Sequence, residues 1–279
     1  MKLYTINTGN FKLDGGAMFG VVPKSIWNRL SPADENNLCT WAMRCMLVED
    51  GNRLILIDNG IGNKQSERFF SHYYLHGSDT LDKSLAAHGL HRNDITDVFL
   101  THLHFDHCGG SIEREGDLLV PAFKNAVYWS NAQHWDWAVH PNEREKASFL
   151  KENILPIQES GQLKFVDVAE EASISEHFSV IFMNGHTNNM MLPKISYNGH
   201  TIVFMADLLP SVAHIPLPYI MAYDMFPYTT LQEKKQFLDE AAACNWTLFF
   251  EHDAHNECCN LISTEKGVRA GETFKLSDL

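Results

Sequence analysis

Along the chain, apolar positions fall into short runs separated by turn residues, and helical periodicity surfaces in only a few places. Residues 41–49 and 53–58 are apolar runs on either side of Glu49-Asp50-Gly51-Asn52, which predicts a β-hairpin. Its second strand leads into Asn59-Gly60-Ile61-Gly62, a loop with two glycines. Leu81, Leu85, Ala86 and Leu90 recur at helical spacing, and Gly89 weakens the end of that helix. Residues 95–100 then read as a buried strand. Further strands are expected at 126–129, 163–168, 179–183, 195–197, 201–205 and 247–251, with the hairpin signal Asn198-Gly199 between two of them. Helices are expected from Asn131 to about Val139, over 143–155, and from the capping box Thr230-Leu231-Gln232-Glu233 to about Cys244.

Strands interleaved with helices, with no repeat, low-complexity tract or linker, predict an α/β (α+β layered) fold in a single domain over 1–279. Residues 11–37 stand apart. They are rich in Gly, Pro, Asn and Met, lack a long period, and read as an ordered loop of the kind that binds substrates.

Charge narrows the partners. The 279 residues hold 22 Lys plus Arg against 35 Asp plus Glu, a net charge of −13, and the only adjacent basic pair is Lys234-Lys235. A negative surface without a basic patch argues against nucleic acid and against anionic membranes. There is no apolar run of about 18 residues to span a bilayer, and no signal-peptide core among the first residues. The expectation is a cytoplasmic protein. Cysteines 39, 45, 108, 244, 258 and 259 show no CxxC pairing and are expected to be free thiols, with Cys108 pointing into packing.

The chemistry concentrates in Thr101-His102-Leu103-His104-Phe105-Asp106-His107-Cys108-Gly109-Gly110, directly after the strand ending at Leu100. In an extended turn His102 and His104, two apart, can face one point. Asp106 and His107, adjacent, diverge, which suits two neighbouring ions better than one. Gly109-Gly110 lets the chain turn sharply. Imidazoles with carboxylates suit zinc, with manganese, cobalt or iron as alternatives.

The HxHxDHxGG string resembles the signature of the metallo-β-lactamase superfamily of hydrolases. Asn184-Gly185-His186-Thr187 resembles its GHT segment, Phe204-Met205-Ala206-Asp207 its GD segment, and Phe249-Phe250-Glu251-His252-Asp253 its final histidine segment. Asp58-Asn59-Gly60 resembles the early DxG loop, whose Asp orients a metal-binding His. The resemblance spans roughly residues 40 to 255. It implies an αββα sandwich of two β-sheets flanked by helices. It also implies two ions, one on His102, His104 and His186, the other on Asp106, His107 and His252, with Asp207 bridging both. Two ions about 3.5–4 Å apart can turn a bridging water into hydroxide near neutral pH. The flavo-diiron branch has Glu where His104 stands, and true β-lactamases generally lack the bridging carboxylate, so Asp207 and His104 disfavour both.

Within the superfamily, residues 14–24, 206–219 and 221–224 look like N-acyl-homoserine lactonases and methyl-parathion-type organophosphate hydrolases. Cationic clamps for RNA or polyphosphate are missing near the motifs. The resemblance therefore implies a quorum-quenching N-acyl-homoserine lactonase, a dinuclear zinc hydrolase that opens a small-molecule lactone by attack of a metal-bridging hydroxide. A phosphotriesterase of the methyl-parathion hydrolase type, or another lactone or ester metallo-hydrolase, is the alternative. Asp106 and Asp207 would stand at the catalytic centre, Met18, Phe19, Trp27, Met43, Ile220 and Met221 would line the acyl chain, and Tyr219 and Tyr223 stand beside His214 as candidates for the hydrogen bond to substrate. The position three after the bridging Asp, a Tyr in many homoserine lactonases, is Pro210 here. His214 is the favoured substitute as substrate contact and proton donor, because imidazole can donate and titrate near neutrality. The 11–37 loop and Trp135-Asp136-Trp137 would support a homodimer.

Overall fold

The computed structural model describes residues 1–169 and 172–279. It is a mixed α/β structure whose strands are β1 (Lys2–Asp14), β2 (Leu38–Asp50), β3 (Arg53–Ile57), β4 (Asp97–Phe99), β5 (Ile112–Glu115), β6 (Leu118–Pro121), β7 (Val127–Ser130), β8 (Leu163–Phe165), β9 (Ala172–Ser175), β10 (Phe178–Met183), β11 (Met190–Tyr197), β12 (His200–Phe204), β13 (Thr247–Phe249), β14 (Cys258–Thr264) and β15 (Gly267–Phe274). The chain forms two compact units, residues 1–9 with 43–174 and residues 10–42 with 175–279. No helix among the described residues is long and apolar enough to cross a membrane.

The first unit is built on a sheet of order β1-β2-β3-β4-β7-β8. The expected hairpin forms, with Asp50 opposite Arg53 across the turn. From β3 onward the strands run parallel, so each must be reached by a crossover. The helix Leu81–Ala87 lies in one crossover, and Ala132–Val139, capped by Asn131 as expected, lies in another. Leu47, Leu56, Val98, Phe123, Tyr128 and Ile154 are sealed in the core of this unit. Consequently the loops after Ile57 and Phe99 leave from the carboxyl ends of neighbouring parallel strands, the end of an α/β sheet where ligands bind.

The second unit carries a sheet of order β15-β14-β13-β12-β11-β10-β9. Asn198 and Gly199, both in the left-handed region at φ +49° and +81°, turn β11 into β12 as the Asn-Gly signal predicts. β12 and β13 are parallel, and the segments bearing Asp207 and His252 follow their carboxyl ends.

Several elements differ from expectation. The helix predicted over 143–155 runs instead from Lys151 to Glu159, because Asn142 accepts the Arg144 and Glu145 N–H groups and holds that stretch in turns. The helix predicted from Thr230 begins at Pro227, whose fixed φ suits a first turn, and Glu233 bonds outside the helix instead of capping it. The 11–37 segment is only partly loop. β1 runs on to Asp14, whose carboxylate accepts the Ala17 N–H and opens the helix Gly15–Phe19, and a second short helix covers Lys24–Trp27. β1, the β5–β6 hairpin and the β14–β15 hairpin have no counterpart among the expected strands.

The short helix delivers Phe19 into an aromatic stack. Its ring lies between Trp27 (centroids 5.2 Å apart, 11° between planes) and His214 (4.6 Å, 5°). His214 Nδ1 accepts from the Ser211 hydroxyl at 2.8 Å, and Nε2–H donates to the Met18 carbonyl at 2.9 Å. Burial pushes the imidazole down to about 4, against the pull of the Met18 carbonyl, so the ring is neutral in the fold. An imidazole that titrates lower in the folded than in the unfolded chain stabilises above about pH 6.5 and loses that contribution as pH falls toward 4. Urea melts at pH 7 and pH 4 should therefore show a steeper loss for the natural chain than for His214→Phe, by about 3 kcal/mol. Parallel pH profiles for the two proteins would contradict the stack's dependence on a neutral ring.

Candidate metal centre

Each compact unit holds one set of buried donors. In the first, His102, His104, Asp106 and His107 follow β4 through an extended turn into the one-turn helix Phe105–Cys108. All four are buried. His102 Nε2 and His104 Nδ1 lie 3.1 Å apart, and His107 Nε2 is 3.9 Å from Asp106 Oδ2. Ligand atoms held at 2.0–2.1 Å by a tetrahedral zinc stand about 3.3 Å from one another, so the pair His102–His104 already has the spacing that one ion requires.

The remaining nitrogens of these rings are tied to the protein. Asp58 is the centre of this arrangement. It accepts the Thr101 N–H at 2.8 Å, the Thr101 hydroxyl at 2.6 Å and His107 Nδ1–H at 3.1 Å. Because the Thr101 hydroxyl donates to Asp58, its lone pair is left to accept from His102 Nδ1–H at 3.1 Å. One carboxylate thus fixes two imidazoles, one directly and one through a hydroxyl. His104 turns the other way. Its Nε2–H donates to Glu145 at 3.1 Å, and Glu145 is itself held by the Trp137 indole at 2.7 Å and the Asn142 amide at 3.2 Å.

The glycines after His107 serve a different purpose from the sharp turn expected. Gly109 has an ordinary helical φ of −61°. A Cβ there would lie 2.1 Å from the Ile61 carbonyl oxygen, and one at Gly110 would lie 2.3 Å from that of Asn59. The need is for close approach, which lets the loop after β3 pack backbone-to-backbone against the histidine segment. Cys108 is a buried thiol bonded to the Leu103 carbonyl at 3.3 Å, and burial pushes it up to about 12. All six cysteines are free.

In the second unit Asp207 stands between two imidazoles. Its Oδ2 is 3.1 Å from His186 Nε2 and its Oδ1 is 3.1 Å from His252 Nε2. One oxygen facing each ring is the disposition of a carboxylate that can serve two ions. The distal nitrogens are again occupied. His186 Nδ1–H donates to Asp224 at 2.9 Å, and His252 Nδ1–H donates to the Ala42 carbonyl at 2.8 Å. Ala206, just before Asp207, sits in the left-handed region at φ +40°, as does Asp58 at φ +54° in the other unit. Such backbone costs of order 1 kcal/mol or more per residue and concentrates at functional loops.

The residues expected to bind substrate do not all present surface. Phe19 is enclosed by rings, Met18 and Met221 are buried, and Tyr219 is half-buried. Met18 and Phe19 are therefore packing residues here. Both nitrogens of His214 are committed to Ser211 and Met18, which leaves the ring no spare proton and removes the reason for making it the donor. Sequence reasoning missed Glu145 and the orienting role of Asp224. Neither lies at a spacing that links it to a histidine.

Comparison with known proteins places the chain among its relatives. The profile described as Metallo-beta-lactamase superfamily matches residues 44–252. The N-acyl homoserine lactonase AiiA of Bacillus thuringiensis subsp. kurstaki is 25% identical over 196 residues, 67% of this chain and 66% of that protein. Among solved structures, a probable metal-dependent hydrolase from Staphylococcus aureus is 27% identical with a TM-score of 0.88, covering 98% of this chain and 96% of the other. The dizinc quorum-quenching lactonase AidC, solved with N-hexanoyl-L-homoserine, has the same fold at 22% identity, with a TM-score of 0.80 over 98% of this chain and 95% of its own. With the profile running from the first apolar hairpin to His252, the chain belongs to the metallo-β-lactamase superfamily, with a mixed α/β fold and buried histidine and aspartate side chains.

Proposed function

We propose that the two donor sets serve one dinuclear zinc centre and that the protein opens the lactone ring of N-acyl-homoserine lactones. His102, His104 and His186 would hold one ion, Asp106, His107 and His252 the other, with Asp207 across both. The observation that carries this reading is the split carboxylate of Asp207, with one oxygen 3.1 Å from each of two imidazole nitrogens. The curated relatives, N-acyl homoserine lactonases, support the substrate class. A chain of net charge −13 does not repel an uncharged lactone.

When bound, the ions would supply Lewis acidity toward the lactone carbonyl and an activated water. The protein's own part is orientation. Asp58, Glu145, Asp224, the Thr101 hydroxyl and the Ala42 carbonyl each hold one ring N–H, so that each imidazole offers its other nitrogen in a fixed tautomer. A carboxylate, Asp106 or Asp207, would accept a proton from the attacking water and return it to the leaving ring oxygen, because the His214 proton is held by the Met18 carbonyl. Tyr219, half-buried, and Tyr223, 41% exposed, are the polar side chains of the 219–224 segment that can meet the acyl amide.

Turnover of hexanoyl-homoserine lactone against paraoxon tests the substrate class, and zinc analysis of the same preparation tests the centre. Two zinc ions per chain with lactone opening are expected, and preference for paraoxon would overturn the lactonase reading. His104→Ala and Asp207→Asn should each abolish lactone opening and lower bound zinc. Full activity of either protein after exhaustive chelation would refute the ligand assignment. Glu145→Gln keeps the side chain's shape but weakens its hold on His104, and zinc affinity should fall about 10- to 100-fold in a competition titration.

A further inference from the structure

In the second unit the helix Pro227–Ala243 makes polar contacts that its own stability does not require. Glu233 does not cap the helix. Its two oxygens accept the Asn184 N–H at 2.7 Å and the Gly185 N–H at 2.9 Å, the peptide groups just ahead of His186. Lys234, fully buried, donates to the carbonyls of Pro216 and Tyr219 at 2.9 Å each and of Leu217 at 3.4 Å. Thr230 lies against Gly185 so closely that a Cβ there would fall 2.3 Å from its hydroxyl. Met225 and Phe226 N–H groups donate back to the His186 and Gly185 carbonyls at 3.0 and 2.8 Å.

We propose that Glu233 and Lys234 are a positioning pair for His186. Glu233 fixes the backbone that carries the imidazole, and Lys234 fixes the loop leading to Asp224, the carboxylate that accepts from its Nδ1–H. The opposite charges follow from what each side chain must hold, N–H groups on one side and carbonyls on the other. Neighbours on a helix point about 100° apart, so one helix can reach both loops. Burial raises the Glu233 carboxyl, while its bonds to Asn184 and Gly185 oppose the rise, and burial brings the Lys234 ammonium down to about 7. Touching both the ligand's backbone and its partner's loop, the pair fixes which nitrogen of His186 faces a metal.

The inference rests on reading His186 as a zinc ligand. It is tested on the full chain by zinc titration against a chromophoric chelator and by 15N NMR of the His186 ring in the zinc-free protein. Glu233→Gln should weaken zinc binding about tenfold and shift the ring from a single Nδ1–H tautomer toward a mixture. Should that variant not fold, Lys234→Met, which keeps the apolar stem, gives the same two readouts. Unchanged zinc affinity with an unshifted ring in a folded variant overturns the proposal. A natural chain that binds zinc tightly yet opens no lactone removes the lactonase reading and leaves this one intact.

Discussion

A buried imidazole can offer a lone pair only if its other nitrogen has somewhere to place a proton. Leaving that N–H unsatisfied away from water would cost a few kcal/mol, and letting the ring flip would withdraw the lone pair. Both donor sets are organised around this constraint. Five histidines have five distal partners: a hydroxyl, three carboxylates and a backbone carbonyl. Asp58 satisfies two of the rings through a single buried carboxylate, one directly and one through the Thr101 hydroxyl.

The strands place these groups by a repeated device. β3 and β4 are parallel neighbours in one sheet, as β12 and β13 are in the other, and the segments bearing His102 to His107, Asp207 and His252 leave their carboxyl ends, whereas His186 follows the antiparallel strand β10. The exit is abrupt in both sheets. Asp58 and Ala206 adopt left-handed backbone at the start of their loops. The hydrogen bonds that Asp58 gathers offset that strain locally, which explains why a non-glycine residue is tolerated there.

The buried histidine and aspartate strings were legible in the sequence because side chains on a sharp exit loop must be close together or follow a strand, and both patterns survive in one dimension. The hairpin at 41–58 and the Asn198-Gly199 turn were legible for the same local reason. The orienting groups were not. Glu145 lies 41 residues from His104 in a stretch that looks helical, and Asp224 lies 38 residues beyond His186. Glu233 read as a helix cap because a carboxylate three residues after a threonine satisfies that pattern, whereas its real partners are 48 and 49 residues away. Met18, Phe19 and His214 misled in the opposite direction. Met18 and Phe19 in a glycine-rich segment and a titratable His214 elsewhere suggest a pocket, yet here Phe19 and His214 stack and the Met18 carbonyl accepts from the imidazole.

The contact of Gly109 and Gly110 with Ile61 and Asn59 leaves no room for a methyl group on either side. Two segments some fifty residues apart are thereby keyed like mating machine parts, and neither can drift without dragging the other. Anyone transplanting the histidine string into a foreign scaffold would have to carry the Asp58–Gly62 loop with it, because the string alone would arrive without the surface against which it is seated.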